Sequence, residues 1–366
     1  MLLLAVLTMC FGQTLSGGTA MIAERVTIAN NADVYEAFPD VALTPTGRLV
    51  VVYREGDSHV SREFSHLVWR VSDDEGRSWS EQRYLVRSEA GPDGTLSKWN
   101  CPRVSVLSDG RVAVVCDNYP QPPGERFGAT PPKVYLWLSS DNAESFAEPV
   151  ETPVEGIVPE RLLELKDGTW LLSAHRGSAP QWRLISRVWR SSDQGRTWEG
   201  PFIVGDKEGL NLCEAGLVEL PGGELVAYMR ENSGRGWPAF KSISRDGGRT
   251  WQGPYETLIG GAHRPTAGLL PTGEVLVTYR YHHGRGARHL NTFAYLESAA
   301  SALEPDVTKQ SGIVLPLDHD RSDHADSGYT GWVVLPDGVT IFVVNYIVDD
   351  APRAQIRGYY LNRRMF

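Results

Sequence analysis

One arrangement of apolar and polar residues occurs six times along this chain. Each copy has an apolar strand, a short polar turn with a glycine, and a second apolar strand; the copies read VALTPTGRLVVVY, VSVLSDGRVAVVC, LLELKDGTWLLSA, GLVELPGGELVAYM, GLLPTGEVLVTY and WVVLPDGVTIFVV. Their turn glycines are Gly47, Gly110, Gly168, Gly223, Gly273 and Gly338. Short strands around such turns are typical of β-hairpins. Since successive turn glycines lie 50 to 65 residues apart, we predict six four-stranded units.

A second pattern falls between the hairpins. The segments SDDEGRSW, SSDQGRTW and SRDGGRTW, which begin at Ser72, Ser191 and Ser244, follow S-x-D-x-G-x-[ST]-W, and SSDNAESF from Ser139 is a degenerate copy. We interpret this motif, an Asp-box, as a turn. The aspartate accepts backbone N–H groups, the glycine takes a positive φ, and the tryptophan packs between neighbouring sheets. This role is structural, and we assign the motif no chemistry.

The two repeats together predict an all-β fold, a six-bladed β-propeller of four-stranded antiparallel blades. The last repeat shows only one strand after its hairpin, around residues 356–361. We expect residues 24–29 to supply its fourth strand, so that the two ends of the chain close the ring and leave no open sheet edge. Residues 21–366 then form a single domain.

The first 20 residues do not belong to the predicted fold. They contain the apolar stretch LLLAVLTMCFG followed by QTLSGGTA, which is typical of a signal peptide cleaved before Met21, although the basic start of such a peptide is missing. Alternatively, translation begins at Met21. With the signal peptide the protein is secreted or periplasmic, and without it the protein is cytoplasmic.

Composition and charge narrow the functional classes. Hydrophobic residues make up 41% of the chain and charged residues 22%, which suits a globular protein with a sizeable core. The net charge of -9 argues against sequence-independent nucleic-acid binding. No later segment has about 18 consecutive apolar residues, so we expect no membrane span. We expect a monomer.

The cysteines indicate neither a metal nor a redox site. Cys101, Cys116 and Cys213 show no CxxC spacing, so we expect no zinc, no other metal and no cofactor. Cys101 and Cys116 are predicted to face each other across the first two strands of blade two. We favour two free, buried thiols there over a disulfide.

Polar residues gather at one rim of the predicted propeller, which we call the mouth. It contains the start of each blade's first strand, the end of its second strand and the loop to its third. Seven residues after each turn glycine lie Arg54, Asp117, His175, Arg230, Arg280 and Asn345. Nine residues before it lie Phe38, Cys101, Pro159, Glu214, Arg264 and Tyr329. Because hairpin symmetry places these two positions side by side, we predict a functional site at the mouth.

The Asp-boxes resemble those of the sialidase superfamily, and the resemblance covers essentially residues 24–366. In NLCEAGLVELPGGELVAYMREN it implies that Glu214 activates the nucleophile and that Arg230 is one of three carboxylate-binding arginines. In DSGYTGWVVLPDG it implies that Tyr329 is the nucleophile. Another arginine of the triad is Arg288 in GARHLNTFAYL, or alternatively Arg280. Asp57 in YREGDSH takes the place of the acid/base aspartate.

The chemistry of sialic acid accounts for this residue set. Its carboxylate lies on the anomeric carbon, where arginines hold it by bidentate, charge-assisted bonds. A neutral tyrosine approaches that negative charge more easily than a carboxylate nucleophile. Tyr329 then needs a base such as Glu214, while Asp57 protonates the leaving oxygen and later activates water.

The sequence also departs from the family pattern. Phe38 stands where the family has its first arginine, and Asn345 with Tyr346 replaces a glutamate of the last hairpin. Arg54 or Arg264 would supply the missing positive charge. Purely structural roles stay open as alternatives: Tyr329 as a packing aromatic, Glu214 as an ion-pair partner of Arg230 alone, and Asp57 as a solvated loop acid.

The resemblance implies an exo-acting glycoside hydrolase that releases a terminal acidic sugar, sialic acid above all, from a glycan. One alternative is a uronate-acting hydrolase or a polysaccharide lyase on the same scaffold, and another is a non-catalytic carbohydrate-binding propeller. Histidine-based chemistry would use residues near the mouth, namely His59, His175, His282 and His283.

Overall fold

Six antiparallel sheets follow one another along the chain in the computed structural model, which describes residues 24–125, 130–178, 183–282 and 290–366. First strands of neighbouring blades contact one another around a common axis. The predicted six-bladed β-propeller is therefore confirmed. The described helices are short: α1 is Ala299–Ala302, and Val307–Lys309 and Arg363–Met365 are single 3₁₀ turns.

Strand β1 (Glu24–Ala29) precedes the first blade. Blade one contains β2 (Tyr35–Leu43), β3 (Leu49–Gly56), β4 (Ser65–Ser72) and β5 (Arg83–Val86). Blade two contains β6 (Leu96–Trp99), β7 (Arg103–Val106), β8 (Val112–Gln121), β9 (Lys133–Ser139) and β10 (Val150–Glu155). Blade three contains β11 (Leu163–Glu164), β12 (Trp170–Ser178), β13 (Arg183–Ser191) and β14 (Glu199–Gly205).

The second half of the chain follows the same plan. Blade four contains β15 (Leu212–Glu219), β16 (Leu225–Glu231), β17 (Phe240–Ser244) and β18 (Gln252–Glu256). Blade five contains β19 (Ala262–Leu269), β20 (Val275–Tyr281), β21 (Asn291–Glu297) and β22 (Gly312–His319). Blade six contains β23 (Ser327–Val334), β24 (Thr340–Ile347) and β25 (Gln355–Asn362).

The ring closes where the two ends of the chain share blade six. Strand β1 pairs antiparallel with β25, so that Glu24 lies opposite Tyr360 and Ala29 opposite Ile356. The predicted closure is confirmed. Because β25 lies between β1 and β24 in the sheet, the C-terminal strand is not a sheet edge.

The Asp-boxes form the turns that the sequence predicts. In blade three, Asp193 accepts hydrogen bonds from the backbone N–H of Thr197 at 2.8 Å and from its hydroxyl at 2.6 Å. The hydroxyl of Ser191 accepts the N–H of Gly195 at 2.7 Å, and the indole N–H of Trp198 donates to the Gly195 carbonyl at 3.1 Å. Asp74, Asp141 and Asp246 bind their own turns in the same way.

Blade two differs because its innermost strand is split. Both β6 and β7 pair with β8, and residues 100–102 separate them. Cys101 lies in this interruption, and the buried side chain of Asp117 holds it by accepting the N–H of Cys101 at 3.1 Å. Cys101 and Cys116 are buried and free, as favoured from the sequence, and so is Cys213. Within the described residues, no helix is long and apolar enough to cross a bilayer.

We expect Asp193→Ala to lower the thermal unfolding midpoint by a few degrees, since three of the hydrogen bonds that define its turn are accepted by this carboxylate. Hydrogen bonds from Thr197 lower the pKa of Asp193 to about 2, compared with about 3.9 in an unfolded chain. Its stabilisation is therefore complete above about pH 4 and disappears as the pH falls towards 2. Thermal scans at pH 7 and pH 2.5 test this, with Ser192→Ala in the same turn as control; an equal difference at both pH values would contradict it.

Candidate active site

Four innermost strands carry a β-bulge at the mouth position nine residues before the turn glycine. The pairing register shifts between Ala37 and Asp40, Cys213 and Gly216, His263 and Thr266, and Gly328 and Gly331. The first bulged residues have positive φ angles: Phe38 58°, Glu214 52°, Arg264 50° and Tyr329 55°. Side chains of this size rarely adopt such angles. A bulge redirects a side chain from the sheet face, and here it brings residues of different blades together.

Tyr329 and Glu214 form the centre of the site. The Tyr329 hydroxyl donates a hydrogen bond to Oε1 of Glu214 at 2.5 Å, although 115 residues separate the two in sequence. Only 8% of Tyr329 and 4% of Glu214 is exposed. The structure therefore brings together the two residues that the sequence marks as nucleophile and base, at hydrogen-bonding distance. Their catalytic roles stay predictions.

Two arginines flank this pair. Nη1 of Arg230 donates to Oε1 of Glu214 at 2.9 Å, and its Nη2 donates to Oδ1 of Asn232 at 2.6 Å. The guanidinium carbon of Arg280 lies 5.2 Å from the centroid of the Tyr329 ring. Nη1 of Arg280 donates to the Ser327 carbonyl at 3.2 Å. Both arginines leave a buried Nε–H without a hydrogen-bond partner among the described residues.

The electrostatics of the pair favour a neutral tyrosine and an ionised glutamate. Burial, followed by the negative charge of Glu214, raises the pKa of Tyr329 well above its usual value, while Arg230 and Arg280 oppose this. Burial alone would also raise the pKa of Glu214, but Arg230 and His175 hold it well below its usual range. We therefore expect the phenol to keep its proton while Glu214 accepts its hydrogen bond.

Glu214 is held from two further directions. Its Oε2 accepts the backbone N–H of Arg264 at 2.9 Å, and its own N–H donates to Nδ1 of His175 at 3.3 Å. The Arg264 side chain points elsewhere: Nη1 donates to Glu160 at 2.9 Å and Nη2 to the Pro159 carbonyl at 2.7 Å. Arg264 therefore supports Glu214, and these contacts leave it little capacity to hold a substrate.

A buried network of charges runs along the axis beneath the mouth. Arg103 lies 3.3 Å from Glu160 and 3.4 Å from Asp40. Arg161 contacts both oxygens of Asp40, at 2.5 and 2.9 Å. Through Glu160 and Arg264 the network continues to Glu214. The sequence reasoning missed it, although FPDVAL, CPRVSV and PERLLE each place a charge two residues after a mouth position.

The first blade contributes a structured loop after β3. Arg54 is fully buried; its Nη2 donates to the carbonyls of Ser58 and His59 at 3.0 and 2.8 Å. Its guanidinium also lies 4.5 Å from the centroid of the Phe38 ring. Asp57 accepts the N–H groups of Arg62 and Glu63 at 2.8 and 3.0 Å. Both of these predicted site residues are thus bound to their own loop.

The other residues that the sequence analysis assigned to the mouth have different surroundings. His175 contacts Glu214 as described, and Asp117 supports the split strand of blade two, with its pKa raised by burial. Arg288 and His283 lie outside the described residues. His282 stacks on His263, with ring centroids 4.7 Å apart.

Asp326 is a site residue that the sequence reasoning overlooked. It accepts hydrogen bonds from the hydroxyls of Tyr35 and Tyr346, the latter at 2.9 Å, and lies 2.6 Å from Nδ1 of His59. Arg280 approaches it to 3.7 Å. An acid three residues before Tyr329 was the available signal, but its partners come from other blades.

A cavity of about 1140 Å³ lies at the opposite end of the channel. It is lined by the later parts of the innermost strands, including Leu43, Val106, Leu217 and Val334. Neither Tyr329 nor Glu214 lines it, so we place the chemistry at the mouth, where the titratable groups converge. Among the described residues, no group of three or more His, Cys, Asp and Glu side chains is arranged to hold a metal ion.

Comparison with known proteins identifies a family for this chain. The family model described as a BNR repeat-like domain matches residues 98–291, more than half of the chain. A comparison with curated protein sequences found no match.

Solved structures share the fold. A protein of unknown function from Dyadobacter fermentans has a TM-score of 0.76 and 24% identity over 93% of this chain and 98% of that chain. The Hadza microbial sialidase Hz136 has a TM-score of 0.67 and 20% identity over 91% and 66%. An alpha-L-arabinanase from Penicillium chrysogenum has a TM-score of 0.63 and 12% identity over 93% and 98%. At these identities the similarity concerns the fold alone.

We expect Glu160→Gln to destabilise the protein by about 3–5 kcal/mol, because it leaves Arg103 and Arg264 buried without their counter-charge. Burial alone would raise the pKa of Glu160, but Arg264 and Arg103 hold it below its usual range. Its contribution is thus present above pH 5 and lost as the pH falls. Urea unfolding at pH 7 measures the change, with the exposed Glu148→Gln as control; an unchanged midpoint for Glu160→Gln would contradict the proposed importance of the network.

Proposed function

The chain belongs to the BNR repeat-like domain family, and we propose that it is a glycoside hydrolase that releases a terminal acidic sugar, sialic acid in the first instance, from a glycan. One observation carries this proposal: the 2.5 Å hydrogen bond between Tyr329 and Glu214, flanked by Arg230 and Arg280. A non-catalytic carbohydrate-binding surface would not require a buried tyrosine to share its proton with an ionised carboxylate.

The arginines support an acidic substrate. The Nε–H groups of Arg230 and Arg280 are buried and have no partner among the described residues. Arg54 and Arg264 also have such a donor, so this feature alone does not identify a carboxylate site. An acidic substrate is favoured because both guanidinium groups lie beside the Tyr329–Glu214 pair, where a carboxylate would accept charge-assisted bonds from them. The two cations would also stabilise negative charge on Tyr329 as it reacts, because both lower its pKa.

The nucleophile follows from the same charges. A substrate carboxylate between these arginines would repel a carboxylate nucleophile, whereas the neutral Tyr329 would not meet this repulsion. In the proposed reaction the Tyr329 oxygen bonds to the anomeric carbon while its proton passes to Oε1 of Glu214. The fully ionised Glu214 is already aligned to accept that proton.

A uronate-acting hydrolase is the second candidate. Phe38 stands where the resemblance implies an arginine, and the Arg264 guanidinium is committed to Glu160 and Pro159. Arg230 and Arg280 are therefore the two arginines of the described mouth that flank the Tyr329–Glu214 pair. A carboxylate away from the anomeric carbon would need fewer charges at the reacting centre.

Export of the protein, through the candidate signal peptide, stays a prediction.

We expect Tyr329→Phe to reduce turnover at least about a thousandfold, because the nucleophilic oxygen is removed. Release of a fluorogenic aglycone from an aryl sialoside and an aryl glucuronide measures this and identifies the sugar. The control is Tyr255→Phe, which removes a phenol from the outermost strand of blade four. Circular dichroism checks that both variants fold. Full activity of Tyr329→Phe on the substrate that the wild type cleaves would refute the nucleophile.

We expect Arg230→Met to weaken binding of a non-hydrolysed acidic sugar about 10- to 100-fold, the usual loss for a charge-assisted bond. Calorimetry with the free acid and with its methyl ester measures this loss. The ester should bind both proteins with similar affinity, because it lacks the charge that Arg230 recognises. Arg245→Met, in the Asp-box turn of the same blade, is the matched control. An equal loss for acid and ester would show that Arg230 acts on the fold and not on the carboxylate.

A further inference from the structure

The loop between β3 and β4 carries two groups that can transfer protons, Asp57 and His59. Asp57 is engaged in building the loop: Oδ1 accepts the N–H groups of Arg62 and Glu63 at 2.8 and 3.0 Å, and Oδ2 accepts the Ser58 hydroxyl at 3.1 Å. Burial would raise the pKa of Asp57, but the bonds from Glu63 and Arg62 hold it below its usual value. A carboxylic acid that donates a proton near neutral pH needs the opposite shift.

His59 has the properties that Asp57 lacks. Its Nδ1 lies 2.6 Å from Oδ2 of Asp326, while 46% of its side chain is exposed. The structure gives its Nε2 no hydrogen-bond partner among the described residues. With Nδ1–H bound to the carboxylate, Nε2 is the nitrogen that exchanges a proton with a ligand.

His59 also lies beside the reacting centre. The centroid of its ring is 5.3 Å from that of Phe38, and the Phe38 ring is 5.1 Å from that of Tyr329. His59 and Tyr329 therefore border the same aromatic side chain. Phe38 is only 3% exposed, so it forms a shared wall between the two side chains.

Hydrogen bonds from other residues fix Asp326 in its position beside His59. The hydroxyls of Tyr35 and Tyr346 donate to it, and its own N–H donates to Asp320 at 3.0 Å. Burial would raise the pKa of Asp326, but its contacts with His59 and Arg280 hold it below its usual value. A carboxylate in this position orients the imidazole.

Side-chain hydrogen bonds hold the backbone of the loop between β3 and β4. Nη2 of the buried Arg54 binds the carbonyls of Ser58 and His59, at 3.0 and 2.8 Å. Ser61, with a φ of 46°, returns its hydroxyl to the Ser58 carbonyl at 3.0 Å. The carbonyl groups before and after the His59 side chain are therefore both fixed. This keeps the imidazole in place for proton transfer.

We propose that His59, oriented by Asp326, is the catalytic acid and base at this mouth, and that Asp57 is a positioning residue that shapes the loop. This inference rests on the proposed glycoside hydrolase function and goes beyond the acid/base role that the resemblance assigns to Asp57. The chemical class of the substrate is an acidic glycoside whose leaving group is a sugar hydroxyl.

The proton balance of the two steps is complete. First, the bond from the anomeric carbon to the glycosidic oxygen breaks with its electron pair on oxygen, which takes the proton from Nε2 of His59. The Tyr329 oxygen bonds to the carbon, and its proton passes to Glu214. Second, water bonds to the same carbon and gives its proton to His59. The Tyr329 oxygen leaves with its electron pair and recovers the proton from Glu214.

The test compares His59→Gln with Asp57→Asn on two substrates of the same acidic sugar, an aryl glycoside with a good leaving group and a disaccharide. General-acid catalysis contributes about 100- to 10,000-fold, and a good leaving group needs it least. We expect His59→Gln to lose at least 100-fold in kcat/KM on the disaccharide and much less on the aryl glycoside. Asp57→Asn should affect both substrates equally, through the loop.

Two further readouts exclude a merely structural effect. Free imidazole should restore disaccharide cleavage to His59→Ala, because it fits where the ring was removed. Asp326→Asn should remove the same limb of the pH–rate profile of kcat/KM as His59→Gln does, since both changes act on one proton. Unaltered thermal unfolding of His59→Gln would show that the fold persists.

The outcomes separate the inference from the proposed function. A wild-type protein inert on acidic glycosides of both kinds would overturn the proposed function, and the inference with it. An active wild type whose His59→Gln variant cleaves the disaccharide normally would overturn the inference alone. In that case a selective loss in Asp57→Asn on the disaccharide would assign the acid to Asp57.

Discussion

The need to pair every charge at the centre of the ring constrains the whole structure. Residues of five blades contribute to this pairing, namely Asp40, Arg103, Glu160, Glu214 and Arg264. Buried ions gain little in free energy over apolar packing, but losing one partner is severe. The network therefore fixes how neighbouring blades lie relative to one another. Glu214 is the residue of the network that lies at the mouth. The geometry of the mouth therefore depends on ion pairs that lie deeper along the axis.

The fold could be read from the sequence because each blade repeats its local signals. Glycine turns set the hairpin register, and that register placed Tyr329 and Glu214 at equivalent positions around one axis. The same reasoning placed Arg264 beside them, yet its guanidinium turns to Glu160 on another blade. Local patterns carry no information about partners 104 residues away. The roles within the loop of Asp57 and His59 depend on individual hydrogen bonds, which hydrophobic periodicity does not reveal.

The match to the family model and the candidate site overlap only in part. Residues 98–291 contain Glu214, Arg230 and Arg280, whereas Tyr329 and His59 lie outside that segment. The matched segment thus contains the proposed base and the two arginines, whereas the proposed nucleophile and the histidine belong to blades six and one. Since a fold alone does not determine function, the proposed chemistry has to be tested at residues inside and outside the matched segment.

The positive φ angles at the mouth have a consequence for the evolution of this protein. Phe38, Glu214, Arg264 and Tyr329 each occupy a backbone conformation that glycine would adopt freely, and each such residue costs about 1–3 kcal/mol. Their side chains compensate for part of this cost, since Phe38 and Tyr329 pack in the core and Arg264 pairs with the buried Glu160. Exchange for glycine during laboratory stabilisation would relieve the backbone but remove these contacts together with the site, so these four positions have to be left unchanged.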